Sequence, residues 1–258
     1  MATPVDDDTT DASGRTAVEG PPVRLTIRAR TVITVLAATT AALSALHIAG
    51  HGAALFGILN YEGRVVGAFD MDSETSIPTW FNMMLLLGIS VTLGAIARAT
   101  AMRRERRMWA ILAVTFLFLS LDEGAALHES LMFATRNLLG ITGGPLWYAW
   151  VIPVGIALLI AAPFVVGFVL RLPARTRGLM ILAAALFLGG AIGIEVVSAT
   201  AGAEVESFLR DEYDPVVWTL AAFEETLELA GLTVMAAAVI LHLRDHALAG
   251  RALALDVR

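Results

Sequence analysis

Eight ionisable side chains sit in stretches of this chain that otherwise have the composition of membrane-crossing helices. Asp122, Glu123, His128 and Glu129 fall between Trp109 and Leu139, Glu195 lies in a second such stretch, and Glu224, Glu225 and Glu228 lie in a third. A charge at mid-bilayer costs roughly 2.5–3.5 kcal/mol on insertion scales, so residues of this kind are rare and point to function. Carboxylates and imidazoles together support two kinds of chemistry. They can hold a divalent metal that activates water, or they can pass protons among themselves.

The imidazoles favour the metal. His47 and His51 are separated by four residues, the spacing at which one helix face offers two imidazoles to one ion, with Ser44 a turn away. Asp122, His128, Glu129, Glu195, Glu224 and Glu228 are the candidates to complete the ligand set. Glu123 and Glu225 are the candidate general acids or bases for a metal-bound water. Three glutamates as close as Glu224, Glu225 and Glu228 cannot all ionise in a low dielectric, and no arginine lies at their depth, so they require a cation or shared protons. His128 follows Asp122 by six residues and Glu123 by five, which is not the Glu-x-x-His spacing of di-iron bundles. Zinc, iron and manganese all suit such donors, and no organic cofactor is indicated.

The elements that must position these groups are long helices. The chain has 258 residues, 57% of them hydrophobic, and a mean hydropathy of +0.73, which places it among polytopic membrane proteins. Six spans are expected, at 31–59, 77–101, 109–139, 147–170, 178–200 and 216–243, each near or above the ~20 residues needed to cross. The fold class is therefore all-α, a bundle of six transmembrane helices. Residues 1–22 read as a disordered acidic tail, 23–243 as the membrane domain and 244–258 as a second tail.

Charge sets the expected orientation. With both termini cytoplasmic, fifteen of the eighteen arginines lie inside, leaving Arg64, Arg136 and Arg210 outside. Trp80, Trp147, Trp150, Trp218, Tyr61, Tyr148 and Tyr213 then mark the outer interface and Trp109 the inner one. Counting 1.5 Å per residue, five of the six helices bring polar side chains to one slab in the outer half, which implies a single polar cavity near the extracytoplasmic face. On the third helix, Asp122 and Glu129, seven apart, are expected to share a face. The fourth span has no ionisable group and reads as a lipid-facing or scaffold helix.

Composition also excludes. With no cysteine there is no disulfide, thiolate ligand or cysteine nucleophile, and with no lysine there is no Schiff base. No basic stripe suggests nucleic acid. The loop from Tyr61 to Ser76, with Glu62, Asp70, Asp72 and Glu74, reads first as a solvated connection in which Ser76 or Ile77 caps the next helix and Pro78 opens it. The alternative is a lid that binds calcium through Asp70, Asp72 and Glu74. The acidic segment with Glu204, Glu206, Asp211, Glu212 and Asp214 reads as solvated too, and the Arg98–Arg107 cluster as the topology determinant with a secondary affinity for anionic lipid.

The run Leu119-Ser120-Leu121-Asp122-Glu123 through His128-Glu129, with Asp70 to Phe81 and Glu224-Glu225 to Glu228, resembles an uncharacterised group of bacterial multi-pass membrane proteins, a group that supplies no activity. A looser similarity links the chain to the alkaline-ceramidase-like superfamily of seven-helix metal hydrolases, which use Ser, Asp and His at the membrane. This chain departs from that superfamily in helix count and in placing His-x-x-x-His on its first helix. The resulting expectation is a bacterial plasma-membrane, metal-dependent enzyme, hydrolase or oxidoreductase, acting on a lipid or apolar substrate among membrane lipids. A proton- or cation-coupled transporter is the alternative, and a passive assembly subunit the third reading.

Overall fold

The computed structural model describes residues 28–60, 63–201 and 215–247, and these are helical with no strand among them. The expected tail over 1–22, the acidic segment around Glu204–Asp214 and most of the C-terminal tail lie outside the described residues, as do Tyr61, Glu62, Arg210 and Tyr213. Among the described residues, six helices are long and apolar enough to cross a membrane: Ala29–Leu55, Ile77–Ala99, Arg103–Ala125, Val151–Val169, Ala174–Thr200 and Trp218–Ala247.

The elements follow in chain order. α1 (Ala29–Leu55) ends in a turn and the short α2 (Arg64–Ala68), which leads to α3 (Ile77–Ala99). Ser76 caps α3 by accepting the Thr79 amide at 3.3 Å, and Pro78 occupies the first turn, as the loop composition predicts. α4 (Arg103–Ala125) returns antiparallel beside α3. Three polar rungs join this hairpin: Ser90 to the Ala113 carbonyl at 2.8 Å, Ser120 to the Met83 carbonyl at 2.9 Å, and Asn82 to Glu123 at 2.7 Å.

The helix expected over 109–139 is instead two. Ala126 adopts a left-handed conformation (φ 47°, ψ 42°) that ends α4 and starts α5 (Leu127–Leu139). Asp122 stabilises the break, because its Oδ1 accepts the His128 amide at 2.9 Å and so satisfies a donor at the start of α5. The shared face expected for Asp122 and Glu129 is therefore lost, since a helical count cannot be carried across a left-handed residue. α5 ends at Gly140, also left-handed (φ 65°).

α6 (Val151–Val169) is largely exposed and peripheral, as a lipid-facing helix would be. The fifth span is α7 (Ala174–Leu188), a π-helical turn (Gly189–Ile194) and α8 (Glu195–Ala201). α9 (Pro215–His242) is the central post, packed against α1, α3 and α7. Lipid tails are as apolar as leucine, so helices in a membrane associate through close packing and polar contacts, not through hydrophobicity. Both are present on α9. Thr233 meets Thr40 of α1 at 2.6 Å. Gly231 lets α7 approach so closely that an added Cβ would lie 2.7 Å from the Phe187 nitrogen and 2.9 Å from the Ala183 oxygen.

Away from the carboxylates the core is mostly apolar. Leu93, Ile96 and Val239 are fully buried, and Trp109 packs edge-on against Phe168 with ring centroids 4.9 Å apart. Trp109 is 2% exposed, so it is a core residue and not the interfacial anchor expected from its place near the arginines. His242 and His246, which motif reading passes over, lie at this arginine-rich end, where Thr176 bonds His242 at 3.1 Å.

Gly231→Val should destabilise the fold by at least about 1–3 kcal/mol, because backbone atoms cannot retreat from the new methyls. Gly94→Val, whose Cβ meets nothing within 4 Å, should be nearly neutral. Thermal unfolding in detergent, followed by circular dichroism, distinguishes the two. Equal melting temperatures would refute the close α7–α9 contact.

Candidate functional site

The two imidazoles of α1 are brought together as their spacing predicts. Val32, Leu36, Thr40, Leu43, His47 and His51 recur every three or four residues, and the last four are buried. His47 and His51 are each 1% exposed, with ring centroids 4.6 Å apart. Their partner comes from the loop and not from another span. Asp70 Oδ1 lies 3.5 Å from His47 Nδ1 and 3.4 Å from His51 Nε2. Among the described residues His47, His51 and Asp70 form the one group of three or more His, Cys, Asp or Glu whose ligand atoms all lie within 4.8 Å of one another.

The loop reaches the site because it is anchored beneath it. Val66 of α2 is 2% exposed and Met71 5% exposed, so the segment dips into the bundle before α3 begins. The Met71 amide donates to His47 Nδ1 at 3.0 Å, and the Asp72 amide donates to Asp70 Oδ1 at 3.2 Å. His47 Nε2 is buried without a hydrogen-bond partner. Burial pushes the Asp70 carboxyl up, but the hydrogen bond and charge of His51, the Asp72 amide and the charge of His47 hold it below the usual carboxylate range. The indole of Trp218, from the first turn of α9, closes the other side. It stacks on His51 at 4.9 Å and lies 5.6 Å from His47. Trp218 is thus a wall of the site as well as an aromatic near the end of a span.

The remaining candidates gather in a second cluster. Asp122 pairs with His128 at 3.3 Å, and His128 meets the edge of Trp150 at 5.8 Å. Trp150 donates to Glu195 Oε1 at 3.0 Å, while Glu195 Oε2 is buried without a partner. The π-helical turn explains how Glu195 reaches this position: one extra residue in a turn rotates everything after it by about 100°. Gly190 in that turn also makes room for α9, since an added Cβ would lie 2.9 Å from Glu228 Cγ.

Glu123 and Glu225 line a cavity of about 10 Å³, roughly one water in size, with Asn82, Thr79, Pro78, Met71 and Leu229. Asn82 is 6% exposed, and its Oδ1 has no partner. Glu129 is exposed, and Glu224 is half-buried on α9. Asp122, His128, Glu129, Glu195, Glu224 and Glu228, considered as ligands, are therefore not assembled with the histidine pair. The loop connects the clusters, with Asp72 within electrostatic reach of His51, Glu129, Glu195 and Glu225, and Glu74 within reach of His128 and Glu129.

His128 lies in α5, outside the six spans, and its hydrogen bond to Asp122 raises its pKa from 6.5 to about 8, against burial and with help from Asp122, Glu74 and Glu129. A raised histidine pKa stabilises the fold fully below about 6.5, and the contribution is lost as pH rises through about 8. The α4–α5 break should therefore loosen between pH 6.5 and 8.5. Trp150 emission should follow this transition, quenched while His128 is charged and recovering above about pH 8. His128→Gln should abolish the titration, and an unchanged profile in that variant would refute the assignment.

No curated protein and no solved structure matches the chain. A protein-family model does match, across residues 32–243, which takes in all six spans and both clusters with the exception of each terminal span's outermost residues. The chain belongs to the family described as a domain of unknown function (DUF8692).

Proposed function

We propose that this multi-pass membrane protein is a metal-dependent enzyme, with one divalent ion held by His47, His51 and Asp70 and a lipid or other apolar molecule as substrate. One observation carries the reading. Two ligands bound about 2.0–2.1 Å from a tetrahedral ion are roughly 3.3–3.4 Å apart, and Asp70 Oδ1 stands 3.5 and 3.4 Å from the two imidazole nitrogens. Two nitrogens and one carboxylate oxygen are the donor set of catalytic zinc, and they also suit iron or manganese. Three protein ligands leave a position for water, which the ion would activate. The first cost is the Met71 amide, which must leave His47 Nδ1. An orphaned amide costs about 1–3 kcal/mol, small beside the roughly 10–16 kcal/mol of structural zinc sites.

Hydrolysis is the leading reaction because it needs nothing beyond the ion and water. Glu123 or Glu225 would take the proton from the water as its oxygen bonds to the substrate, then return it to the leaving group as the scissile bond breaks. Oxidation at iron is the other chemistry the donors suit. Both termini would lie in the cytoplasm of a bacterial cell, with the site towards the outer face. Proton or cation transport is the second reading, favoured by Glu123, Glu195, Glu225 and Glu228 lying within electrostatic reach of one another. The largely apolar layer of Leu93, Ile96, Trp109 and Val239 counts against it, because among the described residues the buried polar side chains towards the arginine-rich end include no carboxylate, and Ser90, Thr176 and His242 are already hydrogen-bonded.

Metal content of the detergent-purified protein tests the proposal. Plasma mass spectrometry should find about one zinc, iron or manganese per chain, lost in His47→Ala/His51→Ala and bound at least tenfold more weakly in Asp70→Asn. Glu195→Gln, outside the three-residue group, should keep the ion. Metal-free wild-type protein that fails to take up added ion would overturn the reading in favour of a hydrogen-bonded loop anchor.

A further inference from the structure

An apolar groove of about 270 Å³ runs between α1, α3 and α9. Its walls are Leu36 of α1 and Phe81, Met84 and Gly88 of α3, and its floor is Val239 and Ile240 of α9. α1 packs on α9 and α2 but makes little contact with α3, so these two helices stand apart and the groove is the gap between them. Thr92 is the polar side chain in its lining, and its hydroxyl is already bonded to the Gly88 carbonyl at 2.7 Å. Nothing in the groove asks for a polar ligand.

Three features decide what fills it. The whole lining lies in membrane-spanning helices. Beside the lining residues Leu36 and Thr92, the neighbouring Val35 and Val91 are 57% and 65% exposed on the outside of these apolar helices. Hydrocarbon is therefore the medium at its mouth. Size suits a single extended chain: from Phe81 to Thr92 the groove runs about 16 Å along the helix. Position gives the orientation. Phe81, at one end of the groove, is next in sequence to Asn82, which lines the polar cavity with Glu123 and Glu225. On α1, Val32 and Leu36 line the groove and continue, every three or four residues, into the stripe that carries His47 and His51.

We infer that the groove holds one acyl chain of a lipid whose polar head lies at the His47–His51–Asp70 end, so the substrate class of the proposed enzyme is an acyl-chain amphiphile. This inference rests on the metal-enzyme reading for the word substrate, but the binding itself can be tested apart from it. Gly88 provides the test, because it lines the groove and an added Cβ there meets nothing within 4 Å, so a larger side chain starts into open space.

The full chain in nanodiscs would be photolabelled with a lysophospholipid carrying a diazirine near the middle of its acyl chain, and the labelled peptides mapped by mass spectrometry. Labelling should concentrate on 81–92 and 236–240 and fall at least fivefold in Gly88→Phe. It should be unchanged in Val91→Phe, which adds the same ring on the lipid-facing surface. Equal labelling of all three proteins, or label spread evenly over the exposed helices, would mean annular lipid only and overturn the inference. Metal content measured on the same samples separates the two claims. Groove-specific labelling of a protein that takes up no metal removes the enzyme and leaves the lipid site. Bound metal without groove-specific labelling removes the lipid site and leaves the metal centre.

Discussion

Hydrocarbon offers no hydrogen-bond partner, so every polar group in the membrane-spanning part of this protein must find one inside the protein. Much of the architecture follows from that constraint. Thr40 with Thr233, Ser90 and Ser120 with carbonyls across the α3–α4 hairpin, and Asn82 with Glu123 are the polar contacts that fix how the helices meet. Such bonds are worth only about 0.6–2 kcal/mol each in a membrane, so their role lies more in setting register than in adding stability. Close packing at Gly231 and Gly190 does the rest, bringing α7 and its π-helical turn against α9.

The same constraint separates the ionisable residues into two groups. His47 and His51 recruit Asp70 and the Met71 amide from a loop that would otherwise be solvated. Asp122 turns to the start of α5, where the His128 amide and ring need an acceptor, and Glu195 accepts from Trp150. The groups left incompletely satisfied concentrate at this end of the bundle: His47 Nε2, Asn82 Oδ1, Glu195 Oε2 and the Trp218 nitrogen. Buried donors and acceptors without partners are expensive, and where several occur together they mark the place where a ligand or ion would repay them.

The apolar groove and the polar clusters are consequences of one arrangement. α9 serves both, carrying Trp218, Glu225 and Glu228 towards one end and Ala236, Val239 and Ile240 towards the other. Because α1 leans on α9 and not on α3, a groove opens between α1 and α3, beside the packed layer of Leu93, Ile96 and Val239. A molecule with an apolar tail and a polar head fits that gradient better than a diffusing ion does.

The sequence by itself determined the helical class and the six helices long and apolar enough to span a membrane, since these depend on hydropathy and length, both of which can be counted along a chain. It also determined the His47–His51 pair, because four residues along one helix is a local distance, and the Ser76–Pro78 start of α3. What it left undecided needed a third dimension. Asp70 stands nineteen residues after His51 in a loop whose composition reads as solvent-facing, and only the burial of Val66 and Met71 turns it inward. The break at Ala126 has no proline to announce it and depends on Asp122 reaching forward to His128. Glu195 faces Trp150 through an irregular turn that no regular helical count anticipates. In each case the deciding partner is distant in sequence or lies across an irregular turn, and which polar groups meet there is settled by packing and not by spacing.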